Sequence, residues 1–103
     1  MMASAMPPLA VVTGAAAGIG RAAVDLLVRD GWTVVALDSN GDQLREVRAA
    51  HGPTKDVRPV TADLRDPADA IAAIEKVVES GRRIGALLNI AGIAGKTAPD
   101  DFD

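Results

Sequence analysis

The sequence has no cysteine and no tyrosine, and one each of histidine, tryptophan and phenylalanine among its 103 residues. Without cysteine there is no disulfide, no thiolate nucleophile and no cysteine-based metal site. The lone His51 leaves no imidazole cluster to bind zinc. No apolar run reaches the roughly 18 residues a membrane-spanning helix needs, so no membrane partner is expected. The opening MMASAMPPLA has neither a basic region nor a long apolar one and does not look like a secretory signal. The net charge is −3 without a basic run, which argues against nucleic acid. A cytoplasmic protein is the expectation. What is present is apolar: 49% of the residues are hydrophobic, which suits a buried α/β core in one domain or part of one.

Leu9–Arg21, LAVVTGAAAGIGR, organises the rest. It reads as a short buried strand, a glycine turn from Thr13 to Gly18, and a helix opening at Ile19 and Gly20. A strand entering a glycine-rich turn and then a helix is how a doubly wound α/β domain presents a phosphate site. Gly14 lets the chain leave the strand, Gly18 keeps the backbone bare where a pyrophosphate approaches, and Gly20 allows the helix to pack on the strand. The first N–H groups of that helix have no partner within it, and its dipole favours an anion there. The spacing Thr13-Gly14-x-x-x-Gly18-x-Gly20 is neither G-x-G-x-x-G nor a P-loop, since no lysine follows Gly20.

Downstream, strands and helices alternate. Ile19, Ala22, Ala23, Leu26 and Leu27 recur at helical spacing and are expected to face a sheet. Trp32–Leu37 is a strand apolar on both faces, hence parallel and covered on both sides. Asp38 stands at its carboxyl end, eighteen positions beyond Gly20, where an acid accepts hydrogen bonds from ribose hydroxyls. It also repels a 2′-phosphate. The bland alternative is a cap for the next helix, which Ser39 or Asn40 can equally supply. A second helix over residues 41–50 turns Leu44 and Val47 inward, and His51 is expected to be exposed at its end. Arg45, Arg48, Lys55 and Arg58 read as a solvated face. Pro59 places the third strand, Val57–Thr61, at a sheet edge, consistent with strand order 3-2-1-4. Asp66-Pro67-Ala68-Asp69 starts a third helix, with Ile71, Ile74, Val77 and Val78 as its expected buried stripe. A fourth strand, 84–90, carries Asn89, Ala91 and Gly92.

The loop TGAAAGIG and the segment Leu87-Leu88-Asn89-Ile90-Ala91-Gly92 together resemble the TGxxxGIG and L-x-N-x-A-G motifs of the short-chain dehydrogenase/reductase family, with Ile90 where a second Asn is usual. The resemblance runs from Leu9 to Gly92. It implies a Rossmann-type doubly wound α/β fold with a parallel sheet, and residues 1–103 as part of an NAD-binding domain. It implies hydride transfer between an alcohol or ketone and nicotinamide. Gly14, Gly18, Ile19 and Gly20 would then bind the pyrophosphate and Asp38 the ribose. Asp63 and Leu64 would contact adenine, and Asn89, Ala91 and Gly92 would form the inner wall. Members preferring NADP usually carry a base where this chain has Ala17 and Ser39, so NAD is the expected cofactor. Asn89 is expected to bond neighbouring backbone.

The family's catalytic residues lie beyond the fourth strand, and with no tyrosine its Y-x-x-x-K pair is not here. Lys96, Thr97 and Asp100 receive no catalytic role. The expectation is a partial record of a longer oxidoreductase, homo-oligomeric when full length, inactive as 103 residues, with its sheet incomplete. The alternative is a non-catalytic dinucleotide-binding module. A methyltransferase also uses a glycine turn and an acid after its second strand, but the glycine spacing and N-x-A-G speak against it.

Overall fold

The computed structural model describes residues 8–90. Seven elements alternate: β1 (Leu9–Thr13), α1 (Gly18–Arg29), β2 (Thr33–Asp38), α2 (Gly41–His51), β3 (Val57–Thr61), α3 (Pro67–Glu79) and β4 (Ile84–Asn89). All strand pairings are parallel, in the order β3-β2-β1-β4. The expected doubly wound sheet and its order are therefore observed, with Pro59 on the outer strand, where its missing N–H costs no ladder bond. Among the described residues no helix is long and apolar enough to cross a membrane.

Side chains alternate across the strands and build a core on each sheet face. Val12, Val34, Ala36 and Val57 pack with Val24 and Val28 of α1 and with Leu44 and Val47 of α2. Leu9, Val11, Val35 and Leu37 pack with Ala73 and Val77 of α3 on the opposite face. Each of β1 and β2 is buried on both faces, as a parallel strand between helix layers must be.

Two expected stripes are corrected. In α1 the buried residues are Gly20, Val24 and Val28, with Ala23 and Leu27 packed beside them. Ile19 and Leu26 are 65% and 51% exposed, and Ala22 is exposed too. Close seating of Gly20 on the loop rotates the helix by one position from the pattern of the largest side chains. In α3 the buried residues are Ala73 and Val77, while Ile71, Ile74 and Val78 are exposed. The small Ala73 brings that helix down on the sheet, and the bulky stripe falls about 100° round the axis. His51 is also less exposed than expected: its side chain is 15% accessible, with Nε2 2.8 Å from Asp25 Oδ1 of α1.

At the amino ends of the strands, Arg82 ties three segments together. Its guanidinium donates to Thr33 Oγ1 at 3.0 Å and lies 3.8 Å from Asp56 Oδ2. Arg58 forks onto the same carboxylate. These contacts, the Arg58 hydrogen bond foremost, hold the Asp56 carboxyl below its ordinary value. Nothing in the spacing of these residues indicates the cluster, because it joins positions far apart in the chain.

The burial pattern predicts that Leu44→Ala lowers stability by about 2–5 kcal/mol, whereas Leu26→Ala, on an exposed face, costs under about 1 kcal/mol. Urea unfolding of the two variants measures the contrast.

Candidate functional site

The sheet order reverses its direction of growth at β1: β2 and β3 lie on one side of it and β4 on the other. The carboxyl ends of β1 and β4 therefore flank a topological switch point, where open α/β sheets form their ligand crevice. Thr13, Gly14, Asp38, Asp63 and Asn89 all sit at or just beyond the carboxyl ends of their strands. Strand direction gathers on one side of the sheet residues that the chain spreads over more than seventy positions.

The loop from Gly14 to Gly18 meets the requirements of a phosphate cradle. Gly14 and Gly18 have φ of 66° and 59°, left-handed values that glycine adopts without penalty. A Cβ placed on Gly18 would find no atom within 4 Å, so the space above that backbone is open. A Cβ on Gly20 would lie 1.8 Å from the Gly14 carbonyl oxygen, so the helix seats on the loop more closely than any side chain allows. The N-cap of α1 is Ala17, with no side-chain cap and no acid in the first turn. The other helices differ. Asn40 accepts from Gln43 N at the start of α2, and Asp66 from Ala68 N at the start of α3, each with an acid in the first turn. Of the three, α1 alone presents its first N–H groups and positive dipole end without a side-chain acceptor.

Asp38 closes the cradle from below. Its Oδ2 accepts from Ala16 N at 3.1 Å and its Oδ1 from Asn40 N at 3.0 Å. Because Asn40 caps α2, Asp38 is not the cap. Each of its oxygens retains acceptor capacity for a hydroxyl. Ala15 N donates to Leu37 O at 3.1 Å, so loop and acid form one unit. The Ala16 amide bond is a feature the sequence did not disclose, since it joins residues 22 positions apart.

Asn89 is exposed, and among the described residues its Oδ1 accepts from the Thr13 hydroxyl at 2.9 Å. The same Thr13 oxygen accepts from Ile90 N at 2.9 Å. The hydroxyl thus links the ends of β1 and β4, a role that could be suspected only from a threonine opening the glycine turn. Asp63 and Leu64 follow β3, and Leu64 packs on the core beneath. Arg65 forks onto the Asp63 carboxylate, and that contact holds Asp63 below its ordinary value. Ala91, Gly92, Lys96, Thr97 and Asp100 lie outside the described residues. A depression lined by Arg48, Lys55, Asp56 and Arg58 lies before and within the first half of β3 and includes none of these site residues. It is a solvated charged surface whose Arg58 is already paired.

The sequence profile described as short chain dehydrogenase matches residues 8–103. The chain belongs to the short-chain dehydrogenase family. It is 37% identical over 91 residues to a cis-2,3-dihydrobiphenyl-2,3-diol dehydrogenase of Pseudomonas sp. strain KKS102, covering 88% of this chain and 32% of that protein. It is 44% identical over 96 residues to the 1-deoxy-11-beta-hydroxypentalenate dehydrogenase of Streptomyces avermitilis, covering 86% of this chain and 33% of that one. Among solved structures, a 3-ketoacyl-(acyl-carrier-protein) reductase from Brucella melitensis complexed with NADH superposes with a TM-score of 0.70 at 26% identity, covering 78% and 32% of the two chains. A short-chain dehydrogenase from Sphingobium yanoikuyae in complex with NADPH gives 0.66 at 32% identity, covering 78% and 32%. This short-chain dehydrogenase chain thus spans about a third of the length of the relatives it matches.

The seating of α1 predicts that Gly20→Ala costs about 3 kcal/mol or more. Gly18→Ala, with open space but a positive φ, costs about 1 kcal/mol. Chemical denaturation that ranked the two equally would contradict this geometry.

Proposed function

We propose that this chain is the cofactor-binding half of an NAD(H)-dependent oxidoreductase that moves hydride between an alcohol or ketone and nicotinamide. The observation that carries the reading is the start of α1, which has no capping side chain and opens on a bare glycine backbone at the β1/β4 switch point. An anion of pyrophosphate size suits those free N–H groups, the positive dipole end and the open space above Gly18. In this reading Gly14, Gly18, Ile19 and Gly20 bind the pyrophosphate, and Asp63 and Leu64 hold adenine. Asn89, Ala91 and Gly92 line the ribose and nicotinamide side. The bound nicotinamide supplies or accepts the hydride. The residues of this chain orient it, and none of them is assigned a proton.

NAD is favoured over NADP because Asp38 is anchored by two backbone amides. A 2′-phosphate would confront a carboxylate that cannot swing aside, and neither Ala17 nor Ser39 offers a compensating cation. The surface supports the reading of a half domain. Along β4, Ile84 and Leu87 are 43% and 66% exposed, and no strand pairs with its outer edge among the described residues. The uncovered stripes of α1 and α3 lie on opposite faces of the sheet. A fifth parallel strand with a helix on each face would cover all three. The residues that polarise and protonate the substrate belong to that complement, and the substrate pocket with them. The complete enzyme is read as a cytoplasmic homo-oligomer.

Calorimetry on the 103-residue chain tests the site: NAD is expected to bind at least about tenfold tighter than NADP. Asp38→Ala should narrow that ratio, and an unchanged ratio would remove Asp38 from the site. The same preparation is expected to show no NAD reduction with any alcohol, followed by absorbance. Turnover would refute the half-domain reading.

A further inference from the structure

Asn40 and Asn89 are the asparagines of this sequence, followed by Gly41 and Ile90. Asparagine is the thermolabile amide of proteins: the backbone nitrogen of the next residue attacks its side-chain carbon. Exposure, a small following residue and a free following N–H therefore decide which asparagine is at risk. At Asn89 the Ile90 N–H is donated to Thr13 Oγ1 at 2.9 Å, and the β-branched Ile90 side chain crowds the approach. Asn40 differs on each count. It is exposed, and Gly41 has no side chain to shield its nitrogen. Gly41 opens α2, and its N–H donates to no acceptor among the described residues, as befits the first turn of a helix. The cap folds the Asn40 carboxamide over that turn: Oδ1 accepts from Gln43 N at 3.0 Å, and Nδ2 donates to Gln43 Oε1 at 3.1 Å. The second bond is the restraint, because it holds the nitrogen that must depart.

We propose that Asn40-Gly41 is a self-modification site, where spontaneous loss of the Asn40 amide sets a second carboxylate beside Asp38 and weakens dinucleotide binding. Gly41 N bonds to Asn40 Cγ as the Cγ–Nδ2 bond breaks, and the Gly41 proton leaves with Nδ2 as ammonia. Water then opens the cyclic imide. Cleavage at Cγ gives aspartate, and cleavage at the main-chain carbonyl gives isoaspartate, with the chain rerouted through Cγ. Water is the co-reactant and nothing is oxidised or reduced. The aspartate product still caps α2, and the helix dipole favours its charge, so the fold persists. The new charge stands two positions from Asp38, whose Oδ1 accepts the Asn40 N–H at 3.0 Å, and it repels an incoming pyrophosphate. The effect on binding rests on the nucleotide reading above; the amide chemistry does not.

The full chain is held in mildly alkaline buffer, digested with trypsin and sequenced by mass spectrometry, with isoaspartate labelled by isoaspartyl methyltransferase. Asn40 should convert at least about tenfold faster than Asn89, whose neighbouring N–H is engaged. Gln43→Ala leaves the backbone cap in place and should speed conversion by about two- to fivefold, as loss of one exposed hydrogen bond allows. Equal rates at the two asparagines, or an unaltered rate in Gln43→Ala, overturn the modification site. In calorimetry NAD should bind Asn40→Asp about three- to fivefold more weakly than the unaltered chain, with no loss of melting temperature. Asn40→Ser keeps a cap without an amide, and its NAD affinity should survive the same incubation. Unchanged affinity in Asn40→Asp overturns the effect on binding. Absence of NAD binding in the unaltered chain overturns the nucleotide reading and that effect with it, while the mass readout still decides the modification.

Discussion

A Cβ on Gly20 would lie 1.8 Å from the carbonyl oxygen of Gly14, so the first turn of α1 rests on the loop at a separation that glycine alone permits. The rest of the site follows from that contact. It puts the amino end of α1 beside the carboxyl end of β1, at the place where the strand order reverses. It also sets the rotation of α1, bringing Val24 and Val28 onto the sheet and turning Ile19 and Leu26 outward. The conformation of the glycine loop and the helix packing are one geometric decision.

Around that contact the polar groups divide the work. Asn40 and Asp66 satisfy the amino ends of α2 and α3, leaving α1 as the described helix without a side-chain cap. Asp38 instead binds Ala16 N of the loop, which couples the acid at the end of β2 to the turn after β1. Thr13 does the same between β1 and β4 through Asn89 and Ile90. Each link joins neighbouring strands at their carboxyl ends. The Arg82, Asp56 and Arg58 cluster braces the opposite ends of the strands, away from the site.

The exposed apolar residues show the other side of the same architecture. A parallel strand is stable when covered on both faces, and β1 and β2 meet that condition fully. In β4 the sequence is as apolar as in the central strands, yet much of it remains accessible. Ile71, Ile74 and Val78 on one sheet face, and Ile19 and Leu26 on the other, are exposed as well. Hydrophobic stripes in excess of what four strands can cover explain why residue patterns alone placed Ile19, Leu26, Ile71, Ile74 and Val78 inward, while Leu27 and Val77 do face the core. Periodicity reports which residues are apolar; it does not report which of two apolar faces finds a partner.

By itself the sequence determined the order and type of every described element, the parallel character of the sheet, the outer position of the strand carrying Pro59, and the glycine loop with its acid at Asp38. These are local matters of φ preference, capping chemistry and runs of apolar residues, all legible within a few positions. The tertiary structure alone decided which helix faces are buried, that Asp38 grips Ala16 while Asn40 caps α2, that Asn89 answers to Thr13, and that His51 meets Asp25. Those outcomes depend on distances between residues remote in the chain, set by how closely each helix can approach the sheet, and a linear pattern carries no measure of that distance.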